Sequence, residues 1–117
     1  MLSFPSELVV REYEEENGLS PFAQWFDTLD SSASLKITTA LERMALGHRS
    51  SMKSVGHGVS EYKIDFGPGY CIYFGMEGNT LVILLGGGTK KRQQQDIATA
   101  QARWNGYKRR KKTTERS

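Results

Sequence analysis

From Glu61 to Phe66 the chain reads Glu-Tyr-Lys-Ile-Asp-Phe, apolar or aromatic at even positions and charged at odd ones. A period of two is the mark of a strand with one face buried and one facing water. Gly67-Pro68-Gly69 interrupts the pattern, and Tyr70-Cys71-Ile72-Tyr73-Phe74 resumes it, with Tyr70, Ile72 and Phe74 on the core side and Cys71 and Tyr73 opposite. A second turn at Glu77-Gly78-Asn79 leads into Thr80 to Leu85, an apolar run of the kind that forms a central strand covered on both faces. Gly86-Gly87-Gly88 is expected to end that strand. A chain with this core is committed to an antiparallel sheet, and its remaining segments must cover it.

Those segments have readable signals. Leu8 to Tyr13 is β-prone and runs into an acidic stretch that ends at Asn17-Gly18. Ser20-Pro21 supplies an N-cap with proline at the first helical position, and Phe22, Trp25, Phe26 and Leu29 follow at helical spacing. Asp30-Ser31-Ser32 opens a second helix in which Ile37, Leu41, Met44 and Ala45 share a stripe before Gly47. After the glycines, Ile97, Ala100 and Trp104 mark a third helix beginning near Gln93. The expected fold is α+β, in the order β-α-α-β-β-β-α. It has an antiparallel sheet of about four strands, an N-terminal helical hairpin and a C-terminal helix, with the helices on one face. Residues 1–106 are expected to form one domain. Residues 107–117, with the run Lys108-Arg109-Arg110-Lys111-Lys112, are expected to be a disordered basic tail.

Composition limits the functional classes. A chain of 117 residues supports one modest core. Its single cysteine, Cys71, rules out an internal disulfide and a cysteine-based zinc site. No apolar run approaches the roughly 20 residues of a membrane span, and the first residues lack the pattern of a secretory leader. The expectation is a cytoplasmic protein with no membrane partner. Charge is unevenly placed: residues 1–30 hold one basic and seven acidic residues, residues 31–117 fifteen basic and six acidic. A polyanion-binding surface therefore belongs to the second part.

The segment Gly58 to Phe74, with Gly67-Pro68-Gly69-Tyr70 at its centre, is followed by Gly87-Gly88-Thr89-Lys90, Gln93 and Asp96-Ile97-Ala98-Thr99-Ala100. Together with Phe26-Asp27 and Leu29 in the first helix, this resembles the RelE/ParE toxin superfamily, in its HigB-like killer branch. The resemblance covers roughly residues 8–105. It departs at two places where the family carries arginine: Lys63 in the second strand and Cys71 after the Gly-Pro-Gly-Tyr turn. Lysine keeps the charge without the two-pronged guanidinium contact, and cysteine has neither.

The resemblance implies the toxin of a type II toxin–antitoxin system, a metal-independent endoribonuclease that cuts mRNA in association with the ribosome and needs no cofactor. It implies a cognate antitoxin with a helix-turn-helix domain, and contact with operator DNA only through the complex. Alternatives are a ParE-like inhibitor of DNA gyrase that cuts no RNA, or a weakened toxin that only binds its antitoxin. If Gly67-Pro68-Gly69 is a three-residue hairpin loop, Lys63 lies opposite Tyr73 on an exposed face. Directly opposed side chains are about 5 Å apart. The expected catalytic set is Lys63, Tyr73, Lys90 and Arg92, with His57, Lys91 and Gln93 contacting RNA and no metal ligands. Lys90 and Arg92 would stabilise phosphate charge, Lys63 bind phosphate or act as base, and Tyr73 stack a base or donate a proton. His57 is the other possible base. The same residues also fit blander roles: a solvated strand face for Glu61-Lys63-Asp65, and a charge cluster at the start of a helix for Lys90 to Arg92.

Overall fold

A computed structural model describes residues 7–116. The reading of the N-terminus as free of a secretory leader rests largely on residues outside that range. The elements are β1 (Val9–Glu12), α1 (Pro21–Phe26), α2 (Ser31–Ala45), β2 (Met52–Gly56), β3 (Val59–Ile64), β4 (Tyr70–Glu77), β5 (Leu81–Thr89), a 3₁₀ turn (Lys90–Arg92) and α3 (Gln93–Arg116). The two helix starts read from the sequence are present. The Ser20 side chain accepts a hydrogen bond from the Ala23 N–H at 3.0 Å and Asp30 from the Ala33 N–H at 2.8 Å, each satisfying one of the free donors at a helix N-terminus.

The sheet is larger than expected and mixed in direction. Five strands lie in the order β1-β5-β4-β3-β2, with β1 parallel to β5 and the other pairs antiparallel. The additional strand, β2, has little apolar patterning because it is a half-exposed edge, and it is held by pairing with β3. Positive φ at His57 (55°) and Gly58 (82°) makes the tight turn between them, the backbone sign that two-residue hairpins require. The direction of β1 is fixed from both ends: Leu8 donates to the carbonyl of Ala45 at the end of α2, and Tyr13 to that of Leu84.

The helices are not confined to one face. Phe22 of α1 and Ile37, Ala40 and Met44 of α2 pack on Tyr62, Ile72, Phe74, Val82 and Leu84. On the other side, Ala100 and Trp104 of α3 pack on Val59, Cys71, Tyr73, Ile83 and Leu85. The side assigned to solvent from the alternation of β4 is thus a second core. Its cause is visible at Trp104, whose ring lies over Gly75, where a Cβ would stand 2.5 Å from the indole. The three glycines after Leu85 do not end β5, which runs on to Thr89. They allow close approach from above and below: Trp25 lies against Gly87 and the Asp96 carboxylate against Gly88.

The helix α3 runs on through the basic run to Arg116. Within the run Arg110 and Lys111 have partners in the fold, as does Tyr107 before it. Tyr107 stacks on Trp104 at 5.3 Å and donates to Glu77 at 2.6 Å, Lys111 pairs with Glu77, and Arg110 donates to the carbonyl of Glu14 and sits over the Tyr13 ring. Among the described residues no helix is long and apolar enough to cross a membrane.

Gly75→Ala is expected to lower stability by about 1–3 kcal/mol, because the added methyl must displace the Trp104 ring. A urea titration monitored by far-ultraviolet circular dichroism measures this; a midpoint equal to the wild type would mean that the indole does not bear on β4.

Candidate functional site

The site lies where β3 ends and β4 begins. Ile64 pairs with Tyr70, so the connecting loop has five residues, 65–69. Gly69 donates to the Phe66 carbonyl at 2.9 Å, which tightens the loop, and Lys90 donates its backbone N–H to the Gly69 carbonyl at 3.0 Å. The last bond fastens the 3₁₀ turn after β5 to the Gly-Pro-Gly loop. As a result Lys63 and Lys90, 27 positions apart in sequence, line one cleft of about 240 Å³ with Asp65, Tyr70 and Cys71.

The register differs by two residues from that of a three-residue loop. Lys63 stands opposite Cys71, and Glu61 opposite Tyr73. A shift of two leaves each side chain on its expected face but changes its neighbour. Tyr73 is only 1 % exposed, beneath α3, so it cannot reach an RNA strand and leaves the catalytic set. Its hydroxyl is the buried side-chain polar atom without a hydrogen-bond partner among the described residues. Burial pushes the Tyr73 pKa well above the usual phenol range, with the neighbouring Cys71, Asp96 and Glu61 adding to the effect. Burial likewise raises the Cys71 thiol, which disfavours the thiolate a nucleophile would need.

The remaining expected residues are distributed as follows. His57 sits in the β2–β3 turn and lines a separate hollow with Gln101 and Lys108. The length of β3 places it roughly 20 Å from the Lys63 end, so it is not a base for this cleft. Lys91 and Arg92 are exposed on the 3₁₀ turn without lining the cleft, and Arg92 contacts Gln95 at 3.4 Å. Gln93 is turned inward and donates to Glu61 at 2.8 Å.

Glu61 is the residue whose importance the sequence reading underrates. Part of an apparently solvated triplet, it is 1 % exposed and is held by Gln93 and, at 3.5 Å, by the Lys63 ammonium. A buried carboxylate is tolerated only when paired and hydrogen-bonded. Lys63, with half its side chain exposed, thus spans from the interior to the cleft wall. The strand alternation gave no sign of this, because the cover over Glu61 comes from α3, more than 30 residues later.

This is an α+β domain with one mixed sheet, helices on both faces and a cationic cleft at the end of the sheet. No family model matches the chain. Over 81 residues it is 38% identical to an uncharacterized protein of Haemophilus influenzae, an alignment that covers 68% of this chain and 82% of the relative. The chain belongs to the family of that protein.

Two outcomes test the buried groups. Tyr73→Phe removes a hydroxyl that has no partner, so stability is expected to hold or rise by about 1 kcal/mol in chemical denaturation; a clear loss would reveal a partner for it. Asp96 is raised from its ordinary value of 3.8, mainly by burial and against the lowering effect of Arg92 and Arg103. The folded protein therefore holds this proton more tightly than the unfolded chain. Its contribution is fully present below that ordinary value and is lost as pH rises through the folded value. Asp96→Asn is expected to flatten this part of the stability–pH curve, and an unchanged curve would place Asp96 in water.

Proposed function

We propose that this chain is the toxin of a type II toxin–antitoxin pair, of the RelE/ParE superfamily and its HigB-like branch, acting in the cytoplasm as a metal-independent endoribonuclease on mRNA at the ribosome. The supporting observation is that Lys63 and Lys90, distant in sequence, line one cleft of about 240 Å³. The chemistry is attack of the ribose 2′-hydroxyl on its neighbouring phosphorus. The 2′-oxygen–phosphorus bond forms, the bond from phosphorus to the 5′-oxygen breaks, the 2′ proton passes to a base and the leaving oxygen takes up a proton. Lys63 and Lys90 stabilise the charge on the phosphorane. Asp65 is the carboxylate beside them and Tyr70 the hydroxyl, and these replace Tyr73 and His57 as the acid–base candidates. Lys91 and Arg92 add to the field through which RNA approaches. The cognate antitoxin, carrying a helix-turn-helix domain, covers the cationic end of the sheet and takes the pair to operator DNA.

A second reading is favoured by a specific observation. Tyr73 and Cys71 are buried, so the cleft has one fewer phenol and one fewer cation than the resemblance implies. A ParE-like inhibitor of DNA gyrase, or a toxin that only binds its antitoxin, needs neither.

Expression in a cell-free translation reaction, with primer extension on the message, separates the two. Codon-phased new 5′ ends are expected, reduced about a hundredfold by Lys90→Ala and unaffected by Tyr73→Phe. Gyrase-dependent DNA breaks without RNA ends would establish the alternative, and full cutting by Lys90→Ala would remove that lysine from the reaction.

A further inference from the structure

The cleft of Lys63 and Lys90 does not stop at β3. On the other side of Lys63, Ile64 and Asp65 lies a second hollow of about 300 Å³, between α2 and the end of the strand. Its wall includes Lys36, Thr39 and Arg43, three residues on one stripe of α2, together with Ser51 and Phe66. The two hollows share Lys63, Ile64 and Asp65 and so adjoin, making a trough on either side of them with Lys36, Arg43, Lys63 and Lys90 in its walls and Asp65 as the exposed carboxylate. Among the described residues Lys36, Arg43 and Lys90 make no ion pair with a carboxylate. Cations grouped around two adjoining hollows, with an aromatic ring among them, are a field for a polyanion.

We infer that the α2 side of this trough holds the nucleotide next to the one bound at Lys63 and Lys90, so that the ligand is single-stranded RNA gripped over more than one phosphate. The inference rests on the RNA reading above and extends it to Lys36, Arg43 and Phe66, which the expected site does not include. Seven residues of helix separate Lys36 from Arg43, about 10 Å along the axis, a span longer than one phosphate group. An aromatic ring distinguishes this trough from a simple acid-binding surface. Phe66 is half-buried at its rim with the Lys36 ammonium 5.2 Å over the ring. A base stacking on Phe66 takes the place of the ammonium and releases it toward the adjoining phosphate. Stacked aromatics beside cations are how single strands are held without sequence preference. The bases of a duplex are occupied with each other and cannot reach such a ring.

The test is fluorescence anisotropy with a short 2′-O-methyl oligoribonucleotide, which binds but cannot be cleaved, titrated at several salt concentrations. Lys36→Ala and Arg43→Ala, both exposed positions, are each expected to reduce the slope of log affinity against log salt by about 0.7, the single-strand value per released counterion. Phe66→Ala is expected to weaken binding about tenfold with the slope retained. If Lys90→Ala lowers the slope while both α2 variants keep the wild-type value, the second hollow holds no phosphate and only the first cleft binds RNA. If the wild-type protein binds no oligonucleotide, this inference and the ribonuclease reading fall together. Competition by poly-glutamate as strong as by an oligonucleotide of equal charge would overturn the nucleotide assignment and make the trough a seat for an acidic polypeptide.

Discussion

The packing of Trp104 on the second face of the sheet is the contact on which the remaining arrangement depends. Its indole lies against Gly58 at the start of β3 and Gly75 in β4, positions where a side chain would collide with the ring. Losing a buried tryptophan costs about 3–5 kcal/mol, a large share of the stability of a domain this size. Once α3 is seated there, Cys71 and Tyr73 become interior residues, and the cleft with Lys63 and Lys90 lies at the far end of β3. Tyr107 extends the contact by stacking on the same indole, which explains why the helix persists through a run of lysine and arginine that would not remain helical alone.

Burial of this face creates an electrostatic demand. Glu61 belongs to an alternating strand and its backbone position follows from that register, yet α3 removes it from water. The carboxylate is offset by the Gln93 amide and the Lys63 ammonium, so the first turn of α3 and the cleft wall are joined through one buried group. A lysine suits this position better than its charge alone suggests. Its flexible stem lets the ammonium contact Glu61 while much of the side chain remains at the surface. Lys63 therefore has a structural task as well as a place in the cleft.

Part of the uneven charge of the sequence meets within the molecule. Acidic groups of the β1–α1 connection meet α3, where Arg103 pairs with Glu15 and Arg110 reaches the Glu14 carbonyl, while Glu77 receives both Tyr107 and Lys111. What looks in the sequence like a basic tail opposite an acidic head is in part an internal interface. Among the exposed cations outside these contacts, Lys36, Arg43 and Lys90 lie along the trough between α2, β3 and the 3₁₀ turn.

Local chemistry by itself determined the α+β class, the capped starts of α1 and α2, the three central strands and the faces of Tyr62, Ile72 and Phe74. Each depends on periodicity or on a cap and proline within a few residues. It also placed Lys63 and Lys90 among the residues of interest. Tertiary structure decided the rest, because the deciding partners are distant in sequence. The parallel pairing of β1, the edge strand β2 and the five-residue loop are outcomes of which strands meet, which no window of residues contains. Whether a face of alternating residues meets water or a helix depends on where α3 docks. For that reason Tyr73 and Glu61 could be assigned to a strand but not to an environment, and Lys36 and Arg43 joined the trough only when α2 was laid beside the end of β3.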